Sequence, residues 1–159
     1  MLFRSQIEEA AREALAPLDR EPSDVGPFQL QSELQQLMQD NVGIARDEEG
    51  LSTAIDRIHH LGSRLASVGA GGNRWYNPGW HTALDLRHLL TVSEAIAASA
   101  RARKESRGAH SRLDHPDKDP DWGTFNHVVS KGPDGHVQVE RREISEIRQD
   151  LKDIIEEQG

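Results

Sequence analysis

NPGWHTALDLRHLLTVSEAIAASARARK, running from Asn77 to Lys104, is the stretch that decides the fold. Asn77 can cap a helix, and Pro78 follows at the first helical position, where its missing N–H does no harm. From Trp80 onward, Ala83, Leu84, Leu86, Leu89, Leu90, Val92, Ala95, Ile96, Ala98 and Ala100 spread round most of the helical circumference. A helix apolar on so many sides belongs at the centre of a bundle. Thr82, Asp85, His88, Ser93 and Glu94 leave a narrow wet side, and the run Ala95, Ala97, Ala98, Ser99 and Ala100 lets a neighbour approach closely.

Working back from Asn77, Gly69-Ala70-Gly71-Gly72 reads as a connector. Before it, Asp47 can cap a helix whose buried face is Leu51, Ala54, Ile55, Ile58, Leu61 and Leu65. Leu30, Leu34, Leu37 and Met38 define another stripe ending near Val42-Gly43, preceded by turn formers from Glu21 through Pro22, Ser23, Asp24 and Gly26 to Pro27. At the start, Ser5 with Glu8 reads as a capping box. A helix is predicted from about Gln6 to Ala16, with Ile7, Ala10, Ala11, Ala14, Leu15 and Leu18 on one face.

Forward of Lys104, Ser111 to Asp121 is dense in Asp, Pro, His and Lys and reads as irregular. Phe125–Ser130 and His136–Glu140 flank Gly132-Pro133-Asp134-Gly135, a hairpin with a four-residue loop. Ile144, Ile147, Leu151, Ile154 and Ile155 give one apolar face to a last, acidic helix ending near Gln158. The expectation is a mainly α domain of three to four core helices, with a small β-hairpin after the central one and a C-terminal helix. Its parts divide at 1–26, 27–121 and 122–159.

Composition removes several functions. Nineteen Lys and Arg against 27 Asp and Glu give a net charge of -8, so a phosphate-tracking surface for nucleic acid is not expected. There is no cysteine, which excludes disulfides, thiolate metal sites, iron–sulfur ligation and a cysteine nucleophile in this chain. Met1 to Gln6 lacks the apolar stretch of a signal peptide. No segment approaches the ~18 consecutive apolar residues of a membrane span. A soluble, cytoplasmic chain without direct membrane insertion is the expectation.

RKESRGAH, from Arg103 to His110, is the most distinctive segment. It reads as a helix exit, with Arg101, Arg103 and Lys104 in the last turn, where cations suit the helix dipole, and Gly108 suited to the left-handed C′ position. Glu105 is repelled at such an end unless Arg103 or Arg107 pairs with it, so an Arg-Glu-Arg lock is expected. The bland alternative is a solvated charged exit.

The segment ESRGAH, followed by Arg112, Asp114, Pro116, Asp119 and Trp122, resembles the C-terminal signature of succinate dehydrogenase and fumarate reductase flavoproteins. Leu34–Met38, Val42–Arg46, Glu49–Leu51, Asn77-Pro78 through Leu89-Leu90, and Ser93–Ile96 follow in the family's order. The resemblance runs from about Leu30 to Glu140. It implies a parent enzyme that interconverts succinate and fumarate by hydride exchange with FAD, and an iron–sulfur subunit that takes the electrons onward. This chain would be the helical domain packing on the FAD-binding and capping domains of its own subunit. It implies a complex held at the cytoplasmic face of the membrane through partner subunits. Glu105, Arg107, His110 and Arg112 would lie at the interdomain contact, Trp122 would anchor the loop, and Arg103, Ser106, Gly108 and Asp114 complete the motif.

The chain carries no GxGxxG after a strand, so FAD is expected on the parent's other domains, with no cofactor, catalytic residue or metal ligand here. L-aspartate oxidase, with the same architecture and a similar ESRG segment, is the neighbouring alternative, and the hairpin with its acidic tail favours the dehydrogenase. A helical interaction module is a second alternative. A metal site at His110, Asp114 and His115 would sit on a Pro-rich loop without helical presentation. His59 and His60 point to different faces of their helix and read as surface or partly buried residues rather than ligands. Trp75, Tyr76 and Trp80 read as a core lid.

Overall fold

The computed structural model describes residues 2–21 and 25–158; the turn formers Pro22, Ser23 and Asp24 lie outside the described residues. The helices are α1 (Leu2–Asp19), α2 (Pro27–Val42), α3 (Glu48–Leu65), α4 (Pro78–Ala102) and α5 (Gln149–Gln158). Four strands make two pairs. β1 (Ala45–Arg46) runs parallel to β2 (Ser111–Arg112), and β3 (Phe125–Lys131) runs antiparallel to β4 (Val137–Glu143). A short 3₁₀ turn, Pro120–Gly123, precedes β3.

The core is the seam of α2, α3 and α4. Leu30, Leu34 and Leu37 meet Leu51, Ala54, Ile58 and Leu61, and Leu86, Leu90, Ala97 and Ala100 close the third side. Two of the three predicted caps form: the Asp47 carboxylate accepts from the Gly50 N–H at 2.7 Å, and Asn77 Oδ1 from the Trp80 N–H at 3.0 Å. Each satisfies one of the four N–H groups a helix start leaves unpaired.

Several expectations fail. Ser5 lies inside α1, which begins at Leu2, so no capping box forms there. Ile7 is exposed and only the second half of α1 is docked: the Trp80 indole donates to the Ala14 carbonyl at 2.7 Å, and Arg87 pairs with Glu13. Gly69 is needed where the connector meets α1, because a Cβ there would come within 2.4 Å of the Glu21 carbonyl oxygen. Trp75 and Tyr76 do not lid the core; Tyr76 is fully exposed. The buried Asn77 holds that loop instead, donating to the Gly71 and Asn73 carbonyls, so the rings are not needed for closure.

The wet side of α4 is also displaced. Ser93 is buried and Glu94 largely so, whereas Leu89, Val92 and Ile96 are exposed, at 39%, 57% and 45%. The segment between residues 111 and 121 is ordered by β2 and the 3₁₀ turn. The hairpin strands are longer than expected, and Gly132 to His136 connect them, with the Gly132 N–H donating to the His136 carbonyl. Ile144 and Ile147 precede α5, and every large aliphatic of the tail is exposed.

Candidate functional site

The RKESRGAH segment begins where α4 ends. Ala102 is the last helical residue, and Arg103 turns to an extended conformation, so the helix stops earlier than the Gly108 reading requires. Gly108 does take a left-handed φ of 58°. It does so in a tight turn in which Arg107 and His110 exchange backbone hydrogen bonds of 2.8 and 3.1 Å.

The helix end is closed by Arg112 rather than by a glycine. Its guanidinium, wholly buried, donates through Nη1 to the carbonyls of Ala100, Arg101 and Arg103 at 3.0–3.2 Å. These are among the carbonyls that a helix C-terminus leaves without partners, and a cation is favoured there. The other edge of the fork binds Asp114 at 2.7 Å through both Nε and Nη2, and Nη2 reaches Glu48 at 3.2 Å. Asp114 in turn accepts the Glu48 N–H at the start of α3. One planar cation thus ties the end of α4 to the start of α3. The Arg112 hydrogen bonds hold the Asp114 carboxyl well below the usual range. Ser106 braces the turn, its Oγ accepting from the Arg112 N–H and donating to the His115 carbonyl.

Glu105 is the second buried charge, at 0% exposure. Oε1 accepts from Arg103 at 2.5 Å and from Arg107 Nε at 2.8 Å, while Oε2 takes Arg107 Nη2 and the Asp119 N–H. The expected Arg-Glu-Arg lock is present. Led by the Arg107 bonds, its partners lower the carboxyl to about 2 against the opposing effect of burial. Arg107 also donates to the Asp119 carbonyl and Arg103 to that of Trp122, which fixes the 3₁₀ turn. Trp122 is buried there, with the Arg141 guanidinium 4.2 Å from the ring centroid and His127 edge-on at 5.8 Å.

His110 borders both locks through Arg103. Nδ1 lies 2.7 Å from Arg46 Nη1 and Nε2 lies 3.3 Å from the Arg103 carbonyl, a pattern satisfied by the tautomer with its proton on Nε2. Burial, then the charges of Arg46, Arg112 and Arg103, push its pKa down, outweighing the Arg103 carbonyl. Arg46, sixty-four residues away, comes from the β1–β2 pairing, whose register sets Arg46 beside Arg112. The motif reading did not give Arg46 a place in the site; its position in the Val42–Arg46 stretch was the only signal.

Arg46, Arg103, His110 and His127 rim a groove of about 520 Å³ whose apolar wall is Val92 and Ile96 of α4. His127 is also pushed toward the neutral form, first by burial and then by Arg103 and Arg141. The motif residues therefore fall into three groups: Arg103, Glu105, Arg107 and Trp122; Ser106, Arg112 and Asp114; and His110 on the groove. The Asp114 carboxylate is committed to the Arg112 guanidinium, and His110, Asp114 and His115 are not among the residues whose donor atoms gather within reach of one ion. Among the described residues both sheets are two-stranded, and no glycine-rich turn joins a strand to a helix N-terminus. They form no phosphate-cradling turn of the kind that holds a dinucleotide.

Residues 31–153 match the family described as fumarate reductase flavoprotein C-term. The succinate dehydrogenase flavoprotein subunit of Coxiella burnetii is 35% identical over 138 residues, 84% of this chain and 23% of that protein. The L-aspartate oxidase of Streptomyces coelicolor is 31% identical over a shorter stretch of 106 residues, 67% of this chain and 18% of that protein. Among solved structures, Mycobacterium smegmatis Sdh1 in complex with UQ1 superposes with a TM-score of 0.85 at 40% identity, covering 96% of this chain and 26% of that one. This chain thus spans about a quarter of the length of these two dehydrogenase relatives. The matched stretch and these relatives place the chain in the succinate dehydrogenase and fumarate reductase flavoprotein family, as its C-terminal domain.

Proposed function

We propose that the chain serves an FAD-dependent succinate dehydrogenase or fumarate reductase as a structural and interface domain, holding none of the reacting groups. The parent enzyme interconverts succinate and fumarate and passes electrons to an iron–sulfur subunit. FAD and the dicarboxylate belong to its FAD-binding and capping domains. The parent complex sits at the cytoplasmic face of the membrane through partner subunits. No helix among the described residues here is long and apolar enough to cross one.

The observation that carries the reading is the outer face of α4. Leu89, Val92 and Ile96 lie uncovered on the central helix beside the groove rimmed by Arg46, Arg103 and His110, while Glu105 and Arg112 are wholly buried beneath it. Three large aliphatics left on a central helix, next to ordered cations, suit a body that supplies apolar surface and carbonyl or carboxylate acceptors. Glu105 and Arg112 act from below, fixing the backbone that presents Arg103, Arg107 and His110.

Purified alone, the chain should show no flavin absorbance and no dichlorophenolindophenol reduction with succinate. Co-expressed with the FAD-binding and capping part of a succinate dehydrogenase flavoprotein, it should co-purify. Val92→Asp with Ile96→Asp should abolish that association. A yellow preparation of the chain alone, or association untouched by the double substitution, overturns the reading.

A further inference from the structure

His59 of α3, Glu94 of α4 and His136 at the hairpin tip bring three donor atoms within 4.8 Å of one another. Glu94 Oε1 lies 2.9 Å from His59 Nε2 and 3.7 Å from His136 Nδ1, and it accepts the Val137 N–H at 3.1 Å. The two imidazole centroids are 4.4 Å apart. The Glu94 side chain is only 15% exposed, and its ion-pair partners are the two histidines, with no lysine or arginine among them. Burial works against its charge, yet the His59 and Val137 hydrogen bonds keep it ionised. It is a half-sealed carboxylate facing two imidazoles, with no lysine or arginine paired to it among the described residues.

We infer that His59, Glu94 and His136 form a binding site for one divalent transition-metal ion of the zinc class. Two imidazoles and a carboxylate are a donor set such ions take, with a fourth position left to water. Bonds of about 2.0–2.1 Å in tetrahedral geometry separate donor atoms by about 3.3 Å; the two separations from Glu94, 2.9 and 3.7 Å, bracket that value, all three donors lie within 4.8 Å, and the exposed His136 ring is the one that would move in to close the set. Neutral His59 needs only to carry its proton on Nδ1 for the Nε2 lone pair to face the ion. His136 is the most exposed of the three and gives the entry path. No cysteine elsewhere in the chain competes for the metal. The donors are separated by 35 and 42 residues in sequence and sit on α3, α4 and the hairpin, so the ion would staple the hairpin tip to the bundle. The inference is independent of the proposed enzymatic role.

The test uses the 159-residue chain, stripped with a chelator and titrated with zinc chloride against a chromophoric indicator. One equivalent should bind. Glu94→Gln and His136→Ala should each weaken binding at least ~10-fold, whereas His60→Ala should not. At a free zinc concentration about a hundred times the wild-type Kd, Tm should rise by roughly 5–10 °C in the wild type, and the rise should fall to about half of that or less in the two site variants at the same free zinc. If Glu94→Gln fails to fold, His136→Ala, on an exposed turn, decides alone. Zinc uptake no tighter in the wild type than in His136→Ala overturns the inference, as does uptake that leaves Tm unmoved.

Discussion

The segment after α4 and the C-terminal tail are both dense in charge, and they put that charge to opposite uses. Between Arg103 and Asp114, carboxylates and guanidiniums two residues apart pair with each other and then with backbone groups from three other places in the chain. Between Glu143 and Glu157, the pairs are local: Arg148 with Asp150, and Lys152 with Glu146 at 3.7 Å, all on exposed side chains. The first set is built round two charges removed from water, Glu105 and Arg112, whose hydrogen bonds run to charged partners and to backbone groups; the second gives up little solvation and gains little. Charge density alone does not distinguish the two. What separates them is whether the fold delivers backbone carbonyls and N–H groups to complete each charged group's bonds.

The sharpest way to break that contrast is Arg112→Met, which keeps an unbranched stem as far as the Nε position and removes the fork. Three carbonyls at the end of α4 and the Asp114 carboxylate lose their donor inside the protein. The expected loss is about 3–5 kcal/mol, measured from urea denaturation at neutral pH. A loss under ~1 kcal/mol would mean that the helix end can be resolvated as cheaply as the tail.

Glu105→Gln is the intermediate case, with an expected loss of roughly 2–3 kcal/mol at neutral pH, since the amide keeps one acceptor for Arg103 and Arg107 but not the charge. Its pH dependence is the finer readout. The folded carboxyl sits at about 2, below its ordinary value of 4.5, so its stabilisation is complete above the ordinary value and is lost as pH falls toward 2. Asp114, also lowered, acts in the same direction. The urea midpoint of the wild type should therefore fall between pH 5 and pH 2.5, and more steeply than that of Glu105→Gln. Parallel slopes would show that Glu105 is not ionised by its partners.

Local rules made part of this legible in the sequence. Asp47 and Asn77 cap helices because a short polar side chain before a periodic apolar run has one good use, and the Leu51–Leu61 face packs as its spacing requires. Glu105 next to two arginines is readable because a carboxylate at a helix exit needs partners. The β1–β2 pair is not readable in this way: two residues on each strand carry no period, and only the finished bundle brings Arg46 to His110. The same holds for Glu94, which polarity assigned to solvent and which His59 and His136 instead enclose. Periodicity also misled at both termini, since it predicts an apolar face without saying whether anything covers it.

The tail gives the smallest expected effect and the cleanest control. Leu151, Ile154 and Ile155 repeat at helical spacing on α5 as faithfully as the core leucines do on α3, yet Ile154 and Ile155 are 49% and 61% exposed. A core aliphatic truncated to a small residue costs about 2–5 kcal/mol because transfer energy and a cavity are both lost. Both terms are small for side chains that keep about half or more of their surface in water. Ile154→Ser with Ile155→Ser should accordingly shift the urea midpoint of the isolated chain by no more than about 0.5 kcal/mol equivalent. A loss of several kcal/mol would place the α5 face against the bundle. The charged tail would then contribute to the fold through apolar burial, unlike the segment after α4, which contributes through its ion pairs and their backbone partners.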